Sequence, residues 1–149
     1  MEVIAWSQNL TPEACAGTPA RPVGKEELFA ASDALSIHVQ LSDRTRGLVG
    51  KAELGLMKPT ALLVNTSRGP VVDEAALIAA LETGAIGGAA LDVFDVEPLP
   101  PDHPFRRLER AQISPHLGYV TEENYRQNYP QVVEAIRAFI DGAPVRVMG

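Results

Sequence analysis

The sequence predicts an α/β fold: a parallel sheet wound with helices on both faces. Three observations predict it. Strand-like and helix-like segments alternate along the chain, the order that parallel strands with helical crossovers impose. The strand-like runs are continuously apolar, as in strands buried on both sides. The residues that carry chemistry sit just after these runs, where open α/β sheets place their ligands.

The elements follow in order. Val3–Trp6 is a short apolar run and reads as the first strand. Thr11-Pro12-Glu13 supplies a cap, a first-turn proline and a first-turn acid, opening a short helix to about Ala16. Arg21–Val23 is a brief strand. Lys25–Ala31 is helical, with Leu28 and Phe29 inward. Ala34–Leu41 is the second clear strand, bounded by Ser32-Asp33 and Ser42-Asp43. Lys51–Met57 is a short helix that must stop before Pro59. Ala61–Val64 is strongly apolar and reads as a strand. Asp73 caps a helix running to about Glu82, with Leu77, Ile78 and Leu81 on one face and Gly84 ending it. Gly88–Val93 is the next strand. Glu97–Pro104 holds four prolines and excludes regular structure, so it is a fixed loop between two strands of one sheet. Ala111–Ser114 is the last short strand. Thr121–Ile140 is a long final helix that Pro130 should kink or interrupt.

The totals bound the function. A chain of 149 residues, 46% hydrophobic and 21% charged, can bury the core of one domain. A net charge of −6 leaves no basic face for phosphates and excludes a nucleic-acid partner. The single cysteine, Cys15, cannot form an internal disulfide and suits a reducing compartment. No apolar run approaches the ~20 residues that cross a bilayer, and the N-terminus has no signal-peptide pattern. The default expectation is a soluble, cytoplasmic protein with no membrane partner.

Three clusters stand at strand ends: Thr66-Ser67-Arg68-Gly69, then Asp92 with Asp95-Val96-Glu97-Pro98, then Ser114-Pro115-His116-Leu117-Gly118. Singly, Arg68 reads as a surface charge, Glu97 as a solvated loop acid and His116 as a satisfied turn histidine. Together they follow consecutive parallel strands and should converge on the carboxyl edge of the sheet. A carboxylate beside an imidazole fixes the ring and favours its protonated form near neutrality. An arginine offers a planar fork for a carboxylate and polarises an adjacent carbonyl. A proton donor, a carboxylate clamp and a carbonyl polariser are what reduction of a 2-oxo acid needs, with the hydride supplied by a cofactor. Gly47–Lys51 resembles half a phosphate loop, but lacks the earlier glycine and the following Ser/Thr.

The runs Asn65–Gly69, Gly88–Pro98 and Ser114–Gly118, with Asp102-His103-Pro104 between the last two, resemble the D-isomer-specific 2-hydroxyacid dehydrogenases. That family includes phosphoglycerate, glycerate, lactate and formate dehydrogenases. The resemblance covers nearly the whole chain. It implies that Arg68 binds the substrate carboxylate and carbonyl, that Glu97 pairs with His116, and that His116 is the acid/base. It implies NAD as cofactor: Asp92 holds the carboxamide, while Thr66 and the backbone at Ser67 line the nicotinamide side. Val39 and Gln40 fall near the adenine and Ser7 near the ribose, and Thr45, Arg68, His116 and Gly118 are implied as further cofactor-binding residues. No metal is implied. The substrate would be a small 2-oxo or 2-hydroxy acid.

The sequence departs from this pattern in three places. Gln40 stands where the family usually has proline. Ser7 stands where NAD enzymes carry an acid on the ribose, and no arginine follows for a 2′-phosphate, so NADP stays open beside NAD. No G-x-G-x-x-G occurs. The resemblance therefore implies a partial Rossmann-like doubly wound sheet lacking its first βα unit. Residues 1–149 would form one incomplete nucleotide-binding domain, truncated at its N-terminus, with 120–149 the helix and tail that in the family return toward the substrate domain. Val132, Val133, Ile136, Phe139 and Ile140 would then lack cover, which points to a homo-oligomer. Two rivals stand beside the oxidoreductase reading: a non-catalytic fragment that folds or oligomerises, and a carboxylate-binding domain without redox chemistry.

Overall fold

A computed structural model of the chain describes residues 1–147. The described residues form six strands and five α-helices, alternating up to β5: β1 Val3–Ala5, α1 Pro12–Cys15, β2 Ala20–Pro22, α2 Lys25–Ala31, β3 Ala34–Ile37, α3 Lys51–Leu56, β4 Leu62–Asn65, α4 Glu74–Thr83, β5 Gly88–Leu91, β6 Ala111–Ile113 and α5 Glu122–Ile140. Two single-turn 3-10 segments, Gly69–Val71 and Pro104–Arg106, stand beside the two loops that matter most below. The residues up to His116 form one unit, and those from Leu117 onward a second.

All strand pairings are parallel. β1 pairs with β2 alone, and β3-β4-β5-β6 form a four-stranded sheet in that order. Leu63 lies opposite Leu35 and Ala89, and Asn65 opposite Ile37 and Leu91. Because the strands are parallel, residues that follow β3, β4, β5 and β6 all emerge at one edge. The predicted α/β class is the architecture observed.

Local chemistry explains where the helices begin and end. The Thr11 hydroxyl accepts the Ala14 N–H and Pro12 opens α1. Asp73 caps α4 by accepting from Ala76, and Gly84, at φ 69°, closes it in the left-handed region. Thr121 caps α5 in the same way, through Asn124. Helix α5 runs from Glu122 to Ile140 with Pro130 inside it, so the proline does not interrupt it.

The core lies between the four-stranded sheet and the helices. Phe29 from α2, Leu54 from α3, and Leu77 and Leu81 from α4 join Leu35, Ile37, Leu63 and Leu91 in one cluster. Burial of each such leucine is worth about 1.5–3 kcal/mol. The continuous apolar runs predict cover on both faces, and here the observed packing differs. In β3 and β4 burial alternates: Leu35, Ile37, Leu63 and Asn65 are buried, whereas Ala34, Ser36 and Leu62 are exposed. Only one face of these two strands is covered by α2, α3 and α4.

Strand lengths differ as well. β3 ends at Ile37 instead of Leu41, and β5 at Leu91 instead of Val93, because the chain beyond leaves the ladder to build the edge loops. In α5, Val132, Val133, Ile136, Phe139 and Ile140 are exposed. Among the described residues, no helix is long and apolar enough to cross a membrane.

Candidate functional site

The loop after β4 is built by one buried side chain. Asn65, 1% exposed, ends the strand. Its Oδ1 accepts the Ser67 N–H at 3.1 Å and its Nδ2 donates to the Arg68 carbonyl at 3.0 Å. The turn 66–68 is therefore closed onto Asn65, and the exposed Arg68 projects from it, its Nη1 2.6 Å from the Ser67 carbonyl. Gly69 then passes against the next loop. A Cβ there would lie 2.1 Å from the carbonyl carbon of Phe94 and 2.6 Å from the Asp95 nitrogen, so no larger residue fits.

That contact joins the Arg68 loop to the segment that presents Glu97. The Phe94 N–H donates to Glu97 Oε1 at 2.9 Å. The other carboxylate oxygen, Oε2, stands 2.6 Å from Nδ1 of His116. Burial opposes the charge on Glu97, but the His116 and Phe94 hydrogen bonds, with His116 and Arg68 nearby, outweigh it and hold the carboxyl below the usual glutamate range. Arg68 thus contributes to holding Glu97 ionised, the smallest of these effects. His116 follows β6 with φ 56°, a left-handed conformation uncommon outside glycine, and its N–H bonds the Ser114 carbonyl. Such backbone outliers cluster at functional sites.

Asp92 follows β5 directly and is 5% exposed. A buried carboxylate needs partners, and the Ser114 hydroxyl donates to its Oδ1. Its N–H bonds the Asn65 carbonyl at 3.0 Å, tying this strand end to the Arg68 loop. The Ser67 hydroxyl donates to the Val39 carbonyl and ties in the loop after β3.

Of the residues singled out in the sequence, Val39, Ser67, Arg68, Asp92, Glu97 and His116 therefore stand on one connected strand edge. Thr66 is exposed at the same edge. Gln40 is exposed, and its carbonyl accepts the Thr45 hydroxyl at 2.6 Å; that hydroxyl also accepts the Ser42 N–H, so Thr45 organises its own turn. Ser7 follows β1 on the separate two-stranded sheet, where its carbonyl accepts the Leu10 N–H. Gly118 lies in the second unit. Sequence reasoning gave no role to Asn65 or Ser114, although both lie in the motifs it quoted. A polar residue closing an apolar strand was the available signal for Asn65.

A cavity of about 520 Å³ opens beside the pair, lined by Glu97, His116, Pro98, Leu99, Ile113 and Pro115 among others. Chemically the edge offers a cation for a carboxylate, an imidazole oriented by an acid, and a buried carboxylate able to accept from an amide.

The family model for the D-isomer specific 2-hydroxyacid dehydrogenase NAD binding domain matches residues 1–118. The chain is 47% identical over 117 residues to a glyoxylate reductase of Aeropyrum pernix, covering 78% of this chain and 35% of that protein. It is 35% identical over 146 residues to a D-3-phosphoglycerate dehydrogenase of Archaeoglobus fulgidus, covering 98% of this chain and 28% of that one. A solved D-isomer specific 2-hydroxyacid dehydrogenase from Xanthobacter autotrophicus, in complex with NADPH and MES, superposes with a TM-score of 0.72 at 40% identity, over 97% of this chain and 59% of that one. The chain spans about a third of the length of the curated relatives it matches.

Proposed function

The chain belongs to the D-isomer specific 2-hydroxyacid dehydrogenase family, and from that premise we propose that it serves reversible hydride transfer between NAD(P)H and a small 2-oxo acid, with His116 as acid/base. The observation that carries this reading is the Glu97–His116 hydrogen bond set beside Arg68 at one strand edge.

Arg68 binds the substrate carboxylate and the carbonyl oxygen with its planar fork. Glu97 accepts from Nδ1 of His116, which leaves Nε2 as the nitrogen that moves the proton. In the reducing direction the carbonyl carbon gains a hydride and its oxygen gains the proton from Nε2. In the oxidising direction Nε2 takes it back. The nicotinamide supplies or accepts the hydride when bound.

The donor set at the edge fits the nicotinamide half of that cofactor. Asp92 is a carboxylate buried at the strand end with an ordered serine partner, the acceptor a carboxamide requires. Thr66 and Ser67 would line the same half. Val39 and Gln40 would face the adenine side, and Ser7 the ribose. The chain has no G-x-G-x-x-G, so none of its residues is assigned to the pyrophosphate. The second reading is a folded module without catalysis. NAD is the cofactor proposed, with NADP as the alternative, and glyoxylate or a related 2-oxo acid as substrate, in a homo-oligomer.

Calorimetric titration with NADH, followed by oxamate as a redox-inert 2-oxo acid analogue, tests the reading. Both should bind, and Arg68→Ala should weaken oxamate by about tenfold or more, since hydrogen bonds to charged groups are worth about 1.5–3 kcal/mol each. Oxamate binding unchanged in Arg68→Ala removes the clamp. No NADH binding by the native protein favours the non-catalytic module.

A further inference from the structure

The segment that carries Glu97 has four prolines between 97 and 104, yet its glutamate must meet two groups at once. What fixes the far end of this segment is His103. Its side chain is mostly buried, at 14% exposure. Nδ1 accepts the Phe105 N–H at 3.3 Å, capping the 3-10 turn 104–106, and Nε2 lies 3.1 Å from Oε1 of Glu74 on α4. A neutral imidazole has one donor and one acceptor nitrogen. A backbone N–H only donates, so Nδ1 is the acceptor and Nε2 carries the proton to Glu74.

The contacts continue from there to the site. The ring of Phe105, 3% exposed, packs 5.0 Å from His103 and 6.2 Å from Phe94. Phe94 is the residue whose N–H holds Glu97. On the other side of the segment, Arg106 donates to the Leu99 and Pro100 carbonyls.

We propose that His103 is a positioning residue for the Glu97–His116 pair: clamped between Glu74 and the turn 104–106, it sets the Pro-rich segment so that Glu97 holds His116 as the Nδ1–H tautomer. The proposal rests on the roles given above to Glu97 and His116. An ionised carboxylate only accepts, so Nδ1 of His116 must donate. The two rings therefore carry opposite tautomers, His116 protonated on Nδ1 and His103 on Nε2.

The chain has three histidines, His38, His103 and His116, so its imidazole spectrum is simple. Long-range proton–nitrogen correlation at a pH where the rings are neutral reads each tautomer without cofactor or turnover. The native protein should give Nδ1–H for His116 and Nε2–H for His103. Glu97→Ala should abolish the Nδ1–H signature of His116; if it does not, the Glu97–His116 pairing itself falls. Glu74→Ala and His103→Asn should also abolish it, with backbone spectra still those of a folded chain. The asparagine keeps a cap for Phe105 but is too short for Glu74. Glu74→Gln, which keeps an acceptor for Nε2–H, should restore the native signature. If Glu97→Ala removes the signature while Glu74→Ala or His103→Asn leaves it intact, the pair stands and the positioning role of His103 is overturned.

Discussion

Gly69 and Asn65 decide whether Arg68 can face the Glu97–His116 pair. Gly69→Ala drives a methyl into the Phe94 carbonyl, and backbone cannot give way as a flexible side chain can. Overpacking of this kind costs about 1–3 kcal/mol, to be read as a lower urea midpoint. In Asn65→Asp an acceptor replaces the Nδ2 donor to the Arg68 carbonyl, leaving a buried polar pair unmatched at a cost of about 1–3 kcal/mol. A variant as stable as the native chain would deny Asn65 its role in shaping the loop. Glu97 predicts a pH dependence. Its folded carboxyl titrates below the usual range, so the unfolded chain binds the proton first as pH falls. The stability it contributes is present above the ordinary glutamate range and is lost as pH falls through the folded value. Urea midpoints measured across acid pH should decline less steeply in Glu97→Gln than in the native protein; equal slopes would separate Glu97 from His116. Arg68, Glu97 and His116 were legible as a set in the sequence because strand order alone sends them to one edge. The helpers were not. Ser114 reaches Asp92 from 22 residues away, through tertiary approach that no local pattern encodes.

The elements themselves follow their local chemistry closely. Thr11, Asp73, Gly84 and Thr121 mark helix ends where the sequence places them, since caps are local interactions. Strand ends are set differently. β3 stops four residues short of Leu41 because Val39 and Gln40 give their carbonyls to Ser67 and Thr45 instead of to a ladder. Hydrogen-bond partners 28 residues apart are invisible to a periodicity argument. The two 3-10 turns are closed by local bonds, Val72 N–H to the Gly69 carbonyl and Arg107 N–H to the Pro104 carbonyl, and are too short to show a period. Pro130 supplies the element-scale prediction. It sits inside α5, where it cannot donate to the Arg126 carbonyl. Pro130→Ala should stabilise the helix by up to ~3 kcal/mol, seen as slower amide exchange on both sides of the substitution. Unchanged exchange would show that α5 has already relaxed around the proline.

For the whole molecule, parallel order and family were readable from three motifs, whereas the extent of cover was not. Continuous apolar runs predict burial on both faces, but β3 and β4 bury only alternate residues, leaving Ala34, Ser36 and Leu62 exposed. An apolar sequence states what a strand tolerates, and packing partners decide what it receives. The proposed function requires the Arg68–Glu97–His116 edge to reduce a 2-oxo acid. The most direct measurement follows the loss of NADH absorbance on adding glyoxylate to the native protein, Arg68→Ala and His116→Ala. The native protein should show glyoxylate-dependent oxidation, strongly reduced in Arg68→Ala, with a loss in kcat/KM on the order of 10²–10⁴-fold in His116→Ala, the usual contribution of a general acid/base. Native rates in both variants, or no glyoxylate-dependent oxidation by the native protein, would contradict it.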